Sequence, residues 1–175
     1  MPLMRRFPVA LVLTFAALPL VAAGCGRPVD LKQVLQVTDL SGGYHDAGIV
    51  DGRNKIVPSI TFRLKKSTDE SLRPLSVNVV FKKLPPAGTA VAPGQPTEED
   101  FDEVFKQSVP FDGNQTGLLT VRSQAGYTGD PPQSRADMLK NSQFRDMRVH
   151  VFAKHSSSQW VEIAQFDLPR QLLTQ

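Results

Sequence analysis

The feature that most constrains the fold is a two-residue alternation that recurs along the chain. From Ile56 to Lys66, the residues Ile56, Pro58, Ile60, Phe62 and Leu64 fall on one face, and Ser59, Thr61, Arg63 and Lys65 on the other. Only Val57 breaks the polar face. Successive side chains of an extended strand point to opposite sides, so this run predicts a strand with one buried face. Pro58 has no N–H to give a ladder, which predicts an edge or a bulge early in the strand. After turn-forming Ser67, Thr68, Asp69 and Glu70, a second strand is predicted from Leu75 to Leu84, with Val77, Val79 and Phe81 inward. The two make a hairpin or a pair that crosses between sheets. Met147 to Lys154 repeats the pattern, with Met147, Val149, Val151 and Ala153 inward. A turn over His155 to Ser158 then leads to a last strand, Trp160 to Leu168.

The intervening segments are less periodic. A Pro/Gly-rich loop is expected from Pro85 to Pro96. The run Thr97 to Phe105 reads either as a helix start or as a strand with an acidic preface; the Val104, Phe105 and Val109 positions favour the strand. Leu118 to Arg122 is a short strand after the turn at Asp112, Gly113 and Asn114. Ser134 to Lys140 predicts a short helix, with Ser134 as its N-cap. The segment from Ser41 to Gly52 reads as a loop. About seven short strands spaced roughly 8 to 15 residues apart, with one short helix, predict a mainly β chain: an immunoglobulin-like antiparallel β-sandwich.

The N-terminus is a separate problem, because export signals are removed before folding. Arg5 and Arg6 precede a charge-free apolar run from Phe7 to Val21, which ends in Ala22-Ala23-Gly24-Cys25. That run is shorter than the ~20 residues a spanning helix needs, and Pro8 and Pro19 shorten it further. Small residues leading into a cysteine resemble the lipobox of bacterial prolipoproteins, in which the cysteine takes a diacylglycerol and the chain is cut before it. Ala22 stands where that family most often has Leu. The resemblance implies lipidation at Cys25, a signal peptide over 1–24, a short tether over 25–30 and one domain over 31–175. Gly26, in place of the Asp that commonly retains such proteins in an inner membrane, favours the outer membrane of a two-membrane cell, on its periplasmic face. The competing reading is cleavage by an ordinary signal peptidase, leaving a secreted protein with a free thiol.

Cys25 is the single cysteine, so the chain can form no internal disulfide and packing must hold the domain together. Loss of Arg5 and Arg6 with the signal lowers the formal charge from +3 to +1, and no basic run exceeds two residues. A nucleic-acid partner is not indicated.

Chemistry-bearing motifs are sparse. His45, Asp46 and His150 could form a facial metal site, but no ligand spacing supports it and scattered surface histidines are the preferred reading. No nucleophile motif and no phosphate loop occurs, so no enzyme and no cofactor are expected. The acidic stretches Asp46 to Asp51 and Glu98 to Glu103 lack the pattern of a calcium loop and read as solvated. The tight loop Gly126-Tyr127-Thr128-Gly129 is a candidate partner-binding site, with glycines that permit positive φ and an aromatic to offer. The alternative is that Tyr127 plugs one end of the sandwich.

The run Ile56 to Lys66, a polar turn, Leu75, then Val77, Val79 and Phe81 is similar to the strand pair of bacterial Ig-like lipoprotein domains of the FxLYD type, although the FxLYD motif itself is absent. Gly126 to Gly129, Phe152 to His155 and Trp160-Val161 also look like an uncharacterised bacterial lipoprotein family. Neither resemblance implies an activity. The expectation is a membrane-anchored module for protein interaction or an accessory role in the cell envelope; the alternative is a ligand- or metal-binding lipoprotein serving transport.

Overall fold

A computed structural model describes residues 29–86 and 88–173. Asp30 caps a single helical turn, α1 (Leu31–Val34), by accepting from the Lys32 N–H. The chain then runs straight into β1 (Leu35–Val50), reverses at Asp51-Gly52 and returns as β2 (Arg53–Lys66). Asp51 and Gly52 both have positive φ, the backbone of a two-residue hairpin turn whose twist matches the flanking strands. The Ser41 to Gly52 segment is therefore mostly strand, not loop. Two register shifts, between Thr38 and Ser41 and between Asp46 and Ile49, absorb the residues that do not fit a plain ladder.

β2 is the strand on which one sheet is built. β1 pairs along one side of it; on the other lie, in turn, β6 (Gln115–Thr116), β7 (Leu119–Arg122) and β8 (Tyr127–Gly129). β5 (Phe111–Asp112) pairs with β6, and β11 (Leu172–Leu173) pairs parallel with β1. Pro58 thus sits in a central strand, not at an edge. Its carbonyl accepts from the Ser123 N–H at 2.9 Å, so its missing N–H faces the gap between β7 and β8, where no ladder partner is lost.

The second sheet has the order β10 (Val161–Leu168), β9 (Met147–His155), β3 (Leu75–Lys83), β4 (Glu99–Lys106). The run from Glu99 is a strand, as its Val104 and Phe105 positions predicted. β2 and β3 lie in different sheets, so the chain crosses the sandwich between them. The inward residues Ile56, Ile60, Phe62 and Leu64 of β2 meet Val77, Val79 and Phe81 of β3 and Met147, Val149, Val151 and Ala153 of β9 in one core. All eleven are fully buried. Burying a Val, Leu, Ile or Phe side chain is worth about 1.5–3 kcal/mol each. α2 (Arg135–Lys140) follows Ser134, whose side chain accepts from the Asp137 N–H. β11 lies beyond Trp160 to Leu168, so that segment is not the last strand.

Polar contacts tie the sheets together at one edge. Asp102 on β4 accepts through one oxygen from the Ser123 hydroxyl at 2.7 Å, the Gln124 N–H at 2.6 Å and the Ala125 N–H at 3.3 Å. Partial burial raises the carboxyl's pKa, but the Ser123 hydroxyl and the backbone N–H groups outweigh it and hold the group below its ordinary value. The folded state therefore favours the carboxylate. This contribution is complete above the unfolded pKa of about 3.9 and is lost as pH falls through the lower folded value. Asp102→Asn is expected to lower the urea midpoint at pH 7 and to bring it closer to wild type as the buffer is acidified toward pH 3. An equal deficit at both pH values would contradict this assignment.

Candidate functional site

β8 brings Tyr127 into an aromatic cluster at one end of the sandwich. Gly126 and Gly129 are glycines for reasons of space, not of φ, since neither has positive φ. A Cβ on Gly126 would stand 2.5 Å from the Ile56 carbonyl oxygen, and one on Gly129 would stand 2.8 Å from Gln133 Oε1. The Tyr127 ring packs 4.4 Å from Phe144 and 5.7 Å, stacked, from Phe101. Tyr44 meets Phe144 edge-on at 5.1 Å. Lys83 Nζ lies 4.7 Å from the Phe101 centroid and Arg170 Cζ 5.2 Å from that of Phe144, so cations cover the cluster from outside.

The two phenols differ in how they are satisfied. Tyr127 donates to the Arg145 carbonyl at 3.0 Å. The Tyr44 hydroxyl is buried and, among the described residues, has no hydrogen-bond partner. Burial pushes Tyr127 up to about 12, with Arg145 opposing the shift, and pushes Tyr44 higher still. Both hold their protons at neutral pH, so neither is a base. Tyr127 therefore plugs the sandwich end. Of the four loop residues singled out from the sequence, only Thr128 is exposed.

Beside Tyr127 lies a cleft of about 190 Å³, lined by Thr128, Gln133, Met138, Asn141, Gln143 and Phe144. Its walls offer amide donors and acceptors and an apolar floor, but no carboxylate, imidazole or amine. Ligand pockets for drug-sized molecules run from about 300 Å³ upward. The cleft can seat a small polar group.

The candidate metal residues do not converge. His45 projects from the outer face of the first sheet, beside Ser41, Ser59, Thr61 and Thr120. Asp46 is held by Arg135 at 2.6 Å. His150 lies on the outer face of the other sheet, opposite the inward Val149 and Val151. Among the described residues, no three His, Cys, Asp or Glu side chains are grouped to hold an ion. His150 is not a surface histidine. It is 8% exposed, with Nδ1 3.0 Å from Glu162 and Nε2 2.9 Å from Glu98. Both ring nitrogens are occupied, so the imidazole clasps β9, β10 and the end of the Pro/Gly-rich loop together. Arg148 extends the clasp to Glu98 at 3.2 Å and Asp167 at 2.6 Å. This contact was invisible in sequence because Glu98 lies 52 residues from His150. The acidic stretch is likewise paired, with Glu99 on Arg145 and Asp100 on Lys82. Cys25 lies outside the described residues.

The chain has two tyrosines and both belong to this cluster, so phenolate absorbance reports it alone. Because the folded values lie above the unfolded value of about 10, the cluster's contribution to stability is complete below pH 10 and is lost as pH rises toward 12. Phenolate absorbance is expected to stay low at pH 10 and to rise only together with unfolding. Half-ionisation of the native chain at pH 10 would contradict the packing described. Phe144→Ala is expected to cost about 3 kcal/mol or more in urea unfolding, as emptied aromatic core sites do.

No family model matches the chain and no curated protein is similar to it, which leaves the residues and their geometry as the grounds for assigning a function.

Proposed function

We propose that the chain is an exported lipoprotein, held at a membrane by acyl chains on Cys25, whose immunoglobulin-like sandwich acts by protein contact rather than by catalysis. The observation that carries this reading is the N-terminal sequence: a basic start, an apolar run and small residues ending in the only cysteine. Two or three acyl chains would make a stable anchor, where one would be marginal. Among the described residues, no helix is long and apolar enough to cross a membrane.

Strand order supports the immunoglobulin-like description. β1, β2 and β7 follow one another as strands A, B and E do in that fold, and β10, β9, β3 and β4 follow as G, F, C and C′. The use of the polar side chains supports a non-catalytic role. Ser123 clamps Asp102, Ser134 caps a helix and His150 is held on both nitrogens. The periplasmic face of an outer membrane fits Gly26. A second reading, capture of a small polar ligand, is favoured by the cleft beside Tyr127; a metal shared by His45, Asp46 and His150 is not, since they lie on opposite faces.

Intact mass of the membrane-extracted protein tests the anchor. The expected chain starts at Cys25 and carries acyl mass; inhibition of lipoprotein signal peptidase is expected to leave residues 1–24 attached, and Cys25→Ser to abolish the acyl mass. A soluble chain starting at Gly24 with a free thiol would contradict it. Cross-linking pull-downs from detergent extracts then test the contact role; recovery of the anchored chain with no partner under any extraction condition would count against it.

A further inference from the structure

The two ends of the sandwich differ, and the tether leaves from only one of them. Val34, at the end of α1, accepts from the Ser67 N–H at 2.9 Å, and Leu35 pairs with Lys66. Leu75 opens β3 opposite His155, and Val77 faces Lys106. The Ser156 N–H reaches the Pro74 carbonyl at 3.1 Å, and α1 packs against β9 and β10. The start of the described chain, the β2–β3 connection, the end of β4 and the β9–β10 turn therefore share one end. The Tyr127 cluster, α2 and the Asp51-Gly52 hairpin occupy the other.

The tether end carries exposed aromatic surface. Phe105 is 54% and Trp160 38% exposed, their rings 6.1 Å apart, and Lys154 Nζ lies 5.7 Å over Trp160. The same end of the sandwich carries Lys32, Lys65, Lys66, Arg73, Lys106 and Lys154. Among the described residues, none of these six has a carboxylate within 4.0 Å, whereas most cations elsewhere on the sandwich are paired. Of the carboxylates at this end, Asp30 is engaged in capping α1 and Asp39 in pairing with Arg63, and Asp69, Glu70 and Asp112 leave the cations in excess.

We infer that this end is a lipid-contacting surface, with Trp160 and Phe105 seated at the headgroup level and the unpaired cations facing anionic lipid. The inference rests on the proposed acylation of Cys25. Cys25 is four residues from Val29, a reach of about 14 Å at full extension, so an acylated chain holds this end, and not the other, against the bilayer. Tryptophan favours the interface because its ring is apolar and its N–H polar, and lysines near an anionic surface add attraction. Position of the tether, exposed aromatics and uncompensated charge thus agree on one occupant.

Trp160 is the only tryptophan, so its fluorescence reports this surface without interference. The test uses the full membrane-extracted protein, its acylation checked by mass, in vesicles of phosphatidylethanolamine and phosphatidylglycerol with brominated acyl chains. Trp160 emission is expected to move to shorter wavelength and to be quenched by the brominated lipid. Lys32→Glu with Lys106→Glu, both at exposed positions, is expected to weaken the quenching. A chain with Trp160→Phe and Ile49→Trp, which moves the reporter to the far hairpin, is expected to show none. An acylated protein whose Trp160 is unquenched overturns the contact and leaves the anchor standing. A shift without quenching that grows with protein density assigns the surface to a second copy and also overturns it. Absence of acyl mass removes the anchor and the contact together.

Discussion

Every strand of the first sheet depends, directly or through one neighbour, on the 14 residues of β2. Its inward face supplies Ile56, Ile60, Phe62 and Leu64 to the core, while its two edges hold β1 on one side and three short strands on the other. Those short strands, of two to four residues, gain their pairing only because β2 is already extended and held from below by β3 and β9. Thr116 illustrates the dependence: its hydroxyl accepts from the Leu64 N–H at 3.0 Å, replacing a backbone acceptor where β6 is too short to give one.

The polar chemistry of the chain is spent largely on connecting elements that the core leaves loose. Asp102 joins the second sheet to the turn before β8. His150 and Arg148 hold the return of the Pro/Gly-rich loop against β9 and β10, and Arg170 grips Asp146 at 2.5 Å while covering Phe144. With no disulfide, these clasps and the aromatic plug close the sandwich at the end away from α1. The more exposed of them, such as Arg170–Asp146, contribute little singly.

The strands with clean alternation were legible in the sequence: β2, β3 and β9 follow their apolar periods, and α2 follows its Ser134 cap. β1 was not, because Ser41-Gly42-Gly43 and Asp46-Ala47-Gly48 carry no apolar period. The long partner strand imposes the extension and two bulges absorb the mismatch. One local signal was available: Asp51-Gly52 is a strong hairpin turn, and it marks Val50 and Arg53 as paired. Pro58 misled for the same reason, since only the placement of β7 and β8 reveals the gap it faces. The Tyr127 plug was legible as one of two alternatives. Its partners Tyr44, Phe101 and Phe144 come from separate segments, which no spacing in the chain connects. The His150 clasp was likewise hidden, being a contact between distant residues.

A sandwich closed by aromatics at one end and bearing unpaired cations, Phe105 and Trp160 at the other has a direction, and the proposed anchor on Cys25 agrees with it. Amide hydrogen exchange of the acylated protein, compared between detergent and anionic vesicles, tests that polarity most directly. The account predicts added protection in vesicles across residues 67–74, 105–115 and 154–160, and none across 47–52 or 128–143. Protection confined to the Tyr127 end, or spread evenly over both, would contradict it.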